Sequence, residues 1–82
     1  MDYAIRTAGQ LEPILKAFRK ERGLSQVELA KKIDVTQQAL SLLEAAPHRA
    51  SFERLMSVFS ALGIEVVLRQ KETVQTSSSD RW

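Results

Sequence analysis

The stretch that decides the fold is Ser25–Glu44, SQVELAKKIDVTQQALSLLE. Ser25 and Glu28 have the spacing of a capping box, in which a hydroxyl and a carboxylate satisfy free backbone N–H groups at the start of a helix. Thr36 has the side chain of a good N-cap for a second helix. Asp34, between them, is a turn residue. The sequence therefore predicts two short helices joined by a tight turn.

Each predicted helix of this stretch has an apolar inner face. In the first helix it is formed by Leu29, Ala30 and Ile33, and in the second by Leu40 and Leu43. Ala30 has so little bulk that the second helix can cross close to it. Because these residues point inward, the opposite face of the second helix is left for polar side chains.

Two short helices with this pattern resemble the XRE (Cro/CI-type) helix-turn-helix family. The resemblance covers about residues 11–62, and its marks are GLSQ (23–26), ELA (28–30), VTQQ (35–38) and LS (40–41) with Glu44. It implies a mainly α, four-helix, lambda-repressor-like domain that binds double-stranded operator DNA. The family usually carries glycine where this chain has Asp34, so we expect a left-handed residue and some strain there.

The outer face of the second helix carries the candidate base contacts Thr36, Gln37, Gln38 and Ser41. A glutamine amide can bind adenine N6 and N7 with two hydrogen bonds in the major groove, and Thr36 can contact a phosphate or a thymine methyl. No Arg or Lys lies between residues 36 and 44, which favours half-sites rich in A or T over guanine. The simpler interpretation of two adjacent glutamines is a solvated helix face.

Basic residues are concentrated ahead of this helix. The net charge is only +2, but residues 16–32 hold six basic side chains against two acidic ones. An ordinary solvated face is the alternative to a phosphate-binding surface. The predicted phosphate contacts are Ser25, Gln26, Lys31, Lys32 and Arg19.

The flanking sequence predicts two further helices. The first runs from about residue 10 to residue 22 and is ended by Gly23; its start is open, because Thr7 with Gln10 has capping-box spacing while Pro13 favours a later start or a kink. The last helix is capped by Ser51 and ended by Gly63. The apolar residues at i, i+3, i+4 and i+7 are Leu11, Ile14, Leu15 and Phe18 in the first helix, and Phe52, Leu55, Met56 and Phe59 in the last.

The segment Ile64–Gln70 is rich in β-formers and predicts a strand. A lone strand exposes unpaired backbone groups, so we expect it to pair with its copy in a homodimer through Ile64, Val66, Val67 and Leu68. A second short strand is predicted at Tyr3–Arg6. Residues 1–70 thus form a helix-turn-helix DNA-binding and dimerisation domain, and residues 71–82 a flexible polar tail.

The order of helix four, strand and polar tail resembles the HipB-type antitoxins within this superfamily. The resemblance implies a homodimeric repressor of its own operon that binds a HipA-type serine/threonine kinase toxin. The final Trp82 is a candidate partner-binding anchor, a handle for a protease, or an inert end. Two alternatives stay open: a stand-alone phage-type or metabolic repressor without a toxin, and a protein–protein interaction module that binds no DNA.

Other function classes have little support in the composition. The chain has no Cys and a single His, His48, which falls in a predicted loop without an orienting partner for catalysis. No spacing is typical of a metal site. We therefore expect no enzyme activity, no cofactor, no small-molecule ligand, no membrane segment and a cytoplasmic location.

Overall fold

The computed structural model describes residues 2–71 of the chain. Within these residues no β-strand is formed, and the predicted mainly α, four-helix fold is confirmed. A single turn of 3₁₀ helix precedes α1, and another joins α3 to α4. In chain order the elements are the 3₁₀ turn Ala8–Gln10, α1 (Leu11–Glu21), α2 (Gln26–Lys32), α3 (Gln37–Ala45), the 3₁₀ turn Pro47–Arg49 and α4 (Phe52–Leu62).

The start of α1 satisfies both of the competing sequence signals. The 3₁₀ turn comes first, and the Gln10 side-chain oxygen accepts hydrogen bonds from the backbone N–H groups of Arg6 (2.6 Å) and Thr7 (2.9 Å). The α-helix begins at Leu11, so Pro13 lies in its first turn. A proline is tolerated there because its missing N–H would have had no partner within the helix.

The connection from α2 to α3 has the predicted turn. Asp34 has a φ of 60°, the left-handed conformation that glycine adopts most easily. The turn is closed by the Val35 N–H, which donates to the Ala30 carbonyl oxygen at 2.9 Å. The Thr36 hydroxyl then accepts from the Ala39 N–H at 3.0 Å and caps α3. The left-handed conformation of Asp34 and the N-cap at Thr36 are therefore confirmed.

The core draws on all four helices. Ala30 retains 2% of its exposure, and its lack of bulk allows α2 and α3 to pack closely. The inward positions predicted for α2 and α3 are confirmed, with Ile33 half-buried against the core. The buried apolar side chains are Leu15, Leu29, Ala30, Leu40, Leu43, Val58, Phe59 and Leu62.

The inner face of α4 differs from the prediction at two positions. Phe59 is buried and Leu55 half-buried, but Phe52 is 66% exposed and Met56 is 41% exposed. Val58 and Leu62 fill the core in their place. Residues 55, 58, 59 and 62 have the same i, i+3, i+4, i+7 spacing as the predicted set, so periodicity alone could not distinguish the two faces.

The end of α4 is tied to the end of α1. Gly63 adopts a φ of 73° and ends the helix, and the Arg22 Nε donates to the Leu62 carbonyl oxygen at 2.9 Å. A Cβ at position 63 would lie 3.2 Å from an Arg22 guanidinium nitrogen. Glycine is thus favoured here by both its backbone conformation and its lack of a side chain.

The segments outside the helices form no strand among residues 2–71. The strand predicted at Tyr3–Arg6 is wrong: Tyr3 instead packs its ring edge-on against Phe18, with centroids 5.7 Å apart. Residues 64–71 have no partner strand among the residues that the structure describes, and the pairing of this segment with a second copy stays a prediction. Trp82 and the rest of the tail from residue 72 lie outside the described residues.

Candidate DNA-binding surface

The four candidate base contacts lie together on the outer side of α3. Thr36, Gln37, Gln38 and Ser41 are all exposed. The opposite side of the helix is fixed because Leu40 and Leu43 are buried in the core. Amides and hydroxyls on a rigid helix can read hydrogen-bond donors and acceptors on base edges, and this face carries no formal charge.

A buried carboxylate joins α1, α2 and α3 behind this surface. Glu44 retains 1% of its exposure and accepts hydrogen bonds from Arg19 Nε at 2.7 Å, Arg19 Nη2 at 3.3 Å and Gln26 Nε2 at 3.0 Å. Arg19 Nη1 also donates to the Leu24 carbonyl oxygen at 3.0 Å. This network fixes the angle between the three helices, because a bidentate ion pair has a narrow range of acceptable geometries.

The predicted phosphate contacts divide into two groups. Lys31, Lys32 and Ser25 are exposed and available to a ligand. The Arg19 side chain is turned inward, with 12% of it exposed, and the Gln26 amide nitrogen is bonded to Glu44. The structure therefore places Arg19 as a support of the helix pair rather than as a charge on the surface.

The capping box at the start of α2 carries a perturbed carboxyl group. Glu28 Oε1 accepts from the Ser25 N–H at 2.8 Å, and the Ser25 hydroxyl accepts from the Glu28 N–H at 3.1 Å. The backbone hydrogen bond from Ser25, followed by the hydrogen bond with its side chain, lowers the pKa of Glu28. The carboxylate form is favoured because it is the better acceptor.

Sequence reasoning missed three exposed residues near α3. Leu42 is exposed beside Gln38 and Ser41, and the three line one shallow concavity. On its other side Leu42 lines a groove that also contains Arg49 and Arg54. The two arginines could have been suspected from their charge, but the path of the chain through the second 3₁₀ turn, which brings them to the flank of α3, could not be predicted from the sequence.

No cluster of metal-binding side chains occurs among the described residues. Within residues 2–71, no three His, Asp or Glu side chains are grouped so that they could hold a metal ion. His48 lies exposed in the second 3₁₀ turn, as predicted for a surface loop. None of the helices in this range is long and apolar enough to cross a membrane.

The family is identified by comparison with known proteins. The helix-turn-helix family model matches residues 15–68, which is more than half of the chain. The chain therefore belongs to the helix-turn-helix family, of the XRE type, whose members are DNA-binding regulators rather than enzymes.

Among individual relatives, an immunity repressor protein of Bacillus phage phi105 is 42% identical over 52 residues. The match covers 63% of this chain and 36% of the phage protein, so the chain spans about a third of that relative's length.

Solved structures of HipB are similar over nearly the whole described range. The HipB–O1–O2 complex matches with a TM-score of 0.77 and 28% identity, over 84% of this chain and 100% of the other. The HipA–HipB–O2–O3 complex matches with a TM-score of 0.78 and 27% identity, over 87% and 100% respectively. The fold of this chain is thus HipB-like, as the order of its elements indicated.

Proposed function

We propose that this protein is a sequence-specific transcriptional repressor that places α3 in the major groove of operator DNA. The observation that carries the proposal is the exposed, uncharged face of Thr36, Gln37, Gln38 and Ser41 on a helix locked into the core from behind. Each bidentate amide contact with adenine would contribute about 1–3 kcal/mol of discrimination against other bases. The operator half-sites should accordingly be rich in A and T.

Affinity in this proposal comes from charges beside α3. Lys31 and Lys32 at the end of α2, with Ser25 and the backbone N–H of Gln26 at its start, contact the phosphates on one side. Arg49 and Arg54 line the groove on the other side and extend the contact. Arg19 acts through Glu44 by holding the helices at the angle that the groove requires.

The test is DNA binding measured by fluorescence anisotropy across a salt series. For about eight phosphates neutralised by a dimer, log affinity should fall with log salt at a slope of about −7. Gln38→Ala should relax base preference, whereas the control Lys32→Ala should weaken all duplexes alike and reduce the slope by about 1 for each charge removed per complex. Failure to bind any duplex at low salt would contradict the proposal and favour a protein-interaction module.

The repressor acts as a homodimer. Apolar side chains that one chain leaves exposed include Phe52 and Met56 on α4 and Val66, Val67 and Leu68 after it, while Ile64 is half-buried against its own core. Pairing of residues 64–70 with the second copy would satisfy the backbone groups that face the partner segment and cover this surface. Two α3 helices related by a two-fold axis would then read half-sites about 34 Å apart or a multiple of that distance.

The dimer serves as the antitoxin of a type II toxin–antitoxin system. It represses its own operon in the cytoplasm and binds a HipA-type serine/threonine kinase toxin. This assignment is supported by the likeness to HipB in complexes with and without HipA. Trp82, outside the described residues, is the proposed anchor for the kinase, since an aromatic side chain on a polar tail can fill a pocket on a partner.

The kinase partner is tested by co-expression with the product of the neighbouring reading frame. Full-length protein should co-purify with a kinase-like protein, and deletion of Arg81 and Trp82 should weaken that complex while leaving DNA affinity unchanged. A chain that represses its operon but retains no such partner would instead be a stand-alone repressor. The identity with the phage immunity repressor favours this second candidate.

A further inference from the structure

Leu42 has an unusual environment for a leucine of α3. It is 73% exposed, whereas Leu40 and Leu43 of the same helix are buried in the core. Single exposed leucines are common on protein surfaces, so exposure alone assigns no role. The surroundings of this one are more informative, because Gln38 and Ser41 line the same shallow concavity.

The position of Leu42 ties it to the base-reading face. Residues 38 and 42 are one helical turn apart and project from the same side of α3. On its other flank, Leu42 borders the groove that contains Arg49 and Arg54. A duplex bound against Gln38 and Ser41, with its phosphates near these arginines, would therefore bring base edges onto Leu42.

We propose that Leu42 is a specificity-determining residue that packs against the 5-methyl group of a thymine in each operator half-site. This inference rests on the proposed function and adds a second kind of recognition to it. The thymine methyl is the one apolar group that unmodified base pairs present in the major groove. At any other base edge the leucine would cover a hydrogen-bonding group without replacing its bond to water.

The helix geometry also places this thymine relative to the amide contact. Residues 38 and 42 are separated by a rise of about 6 Å along the helix axis. Base pairs follow one another at about 3.4 Å. The thymine read by Leu42 therefore lies within about two base pairs of the base read by Gln38.

The experiment uses thymine and deoxyuridine, which differ only by the methyl group. The full-length protein first selects its site from a random library of 30-base-pair duplexes. Each thymine of the selected site is then replaced by deoxyuridine, first singly and then together with its symmetry-related partner, and dissociation constants are measured for the wild type, Leu42→Ala and Leu42→Met.

One symmetry-related thymine pair should be sensitive to the replacement. Loss of one buried methyl group should weaken wild-type binding about fourfold per half-site, and about tenfold or more when both half-sites are changed. Leu42→Ala should bind the thymine site more weakly and show no further loss with deoxyuridine. Leu42→Met, which keeps an apolar side chain, should retain most of the difference.

Three possible results would each contradict a different part of the proposal. Wild-type binding that is indifferent to deoxyuridine at every position would overturn the role of Leu42 while leaving the repressor intact. An undiminished penalty in Leu42→Ala would assign the methyl contact to another residue. Failure of the wild type to select any site would instead contradict the proposed function. Because Leu42 is 73% exposed, the variants should keep the wild-type circular dichroism spectrum and thermal midpoint.

Discussion

The helix pair α2–α3 and the region formed by α4 with residues 64–71 differ in how much of their apolar surface is buried. In the first, Glu44 is fully hydrogen-bonded by Arg19 and Gln26, and the exposed face is mostly polar. In the second, Phe52 and Leu68 are largely exposed, at 66% and 96%. Apart from Leu42, most apolar side chains of the first region are covered by the described residues, whereas the second region presents a larger apolar surface that the described residues leave uncovered.

This difference separates two tasks within a small domain. In the proposed repressor, the surface on α3 that would read DNA requires a rigid support, which the buried network and core provide from behind. The region after Ser51 would supply the apolar surface for dimerisation, and dimerisation would in turn set the spacing of the two α3 helices. Variants in the two regions should therefore differ in their effects on the free energy of unfolding and on dimerisation.

The largest expected contrast compares two phenylalanines of α4. Phe59→Ala removes a buried ring and should lower the free energy of unfolding by about 3–5 kcal/mol, as measured by urea denaturation. Phe52→Ala should change it by only about 0.5 kcal/mol or less at concentrations where the protein is monomeric. At higher concentrations Phe52→Ala should become more destabilising and should raise the dimer dissociation constant in sedimentation equilibrium.

An equal cost for Phe52→Ala and Phe59→Ala at every concentration would contradict this contrast. It would mean that Phe52 packs within its own chain.

The next contrast compares a buried ion pair with an exposed one. Glu44→Ala leaves Arg19 without its carboxylate in a largely buried position and should cost about 3–5 kcal/mol of unfolding free energy. The control Glu12→Ala breaks the Lys16–Glu12 pair, whose side chains are 43% and 41% exposed, and should cost about 0.5 kcal/mol or less. Similar costs for the two variants would remove Glu44 from the support of α3.

The smallest expected effect concerns the cap of α2. Ser25→Ala should cost about 1 kcal/mol, and Ser51→Ala should cost a similar amount at α4. Only the cap at Ser25 includes a carboxyl group, because residue 28 is a glutamate in the capping box, whereas the matching position after Ser51 is Arg54.

The pH dependence of the two cap variants should therefore differ. The folded-state pKa of Glu28 is lowered, so its contribution to stability is present above the unfolded pKa of about 4.3 and is lost as pH falls through the lower folded value. The difference between wild type and Ser25→Ala should shrink on acidification, whereas that for Ser51→Ala should stay constant. A constant difference in both, from urea denaturation at pH 7 and pH 3, would show that the Ser25 hydroxyl does not contribute to the lowered pKa of Glu28, since the backbone hydrogen bond from residue 25 is kept in Ser25→Ala.

Much of the fold was predictable because its determinants are local. The Ser25–Glu28 capping box, the Thr36 cap and the left-handed Asp34 each depend on residues within a few positions of one another, and all three occur in the structure. The base-reading candidates on α3 were found in the same way, since burial of Leu40 and Leu43 leaves Gln37 and Gln38 on the opposite face.

The features that the sequence did not reveal depend on how the helices pack and on the path of the chain between them. The partners of Glu44 are 25 and 18 residues away, so no residue near Glu44 in the sequence indicates that its side chain is buried. Arg49 and Arg54 reach the flank of α3 only through the path of the second 3₁₀ turn. Leu42 is an apolar residue of the kind that usually lies in a core. It is exposed because Leu40 and Leu43 occupy the inward positions of α3.

The sequence by itself determined where most of the helices begin and end, though not the start of α1. It also determined which side of α3 is polar and that the chain resembles a helix-turn-helix regulator, because caps, turns and periodicity act over a few residues. Only the tertiary structure decided which of two equally spaced apolar faces of α4 enters the core. Phe52 and Met56 remained outside because the other three helices cover one side of α4, and the number of neighbours available for packing is a property of the whole fold.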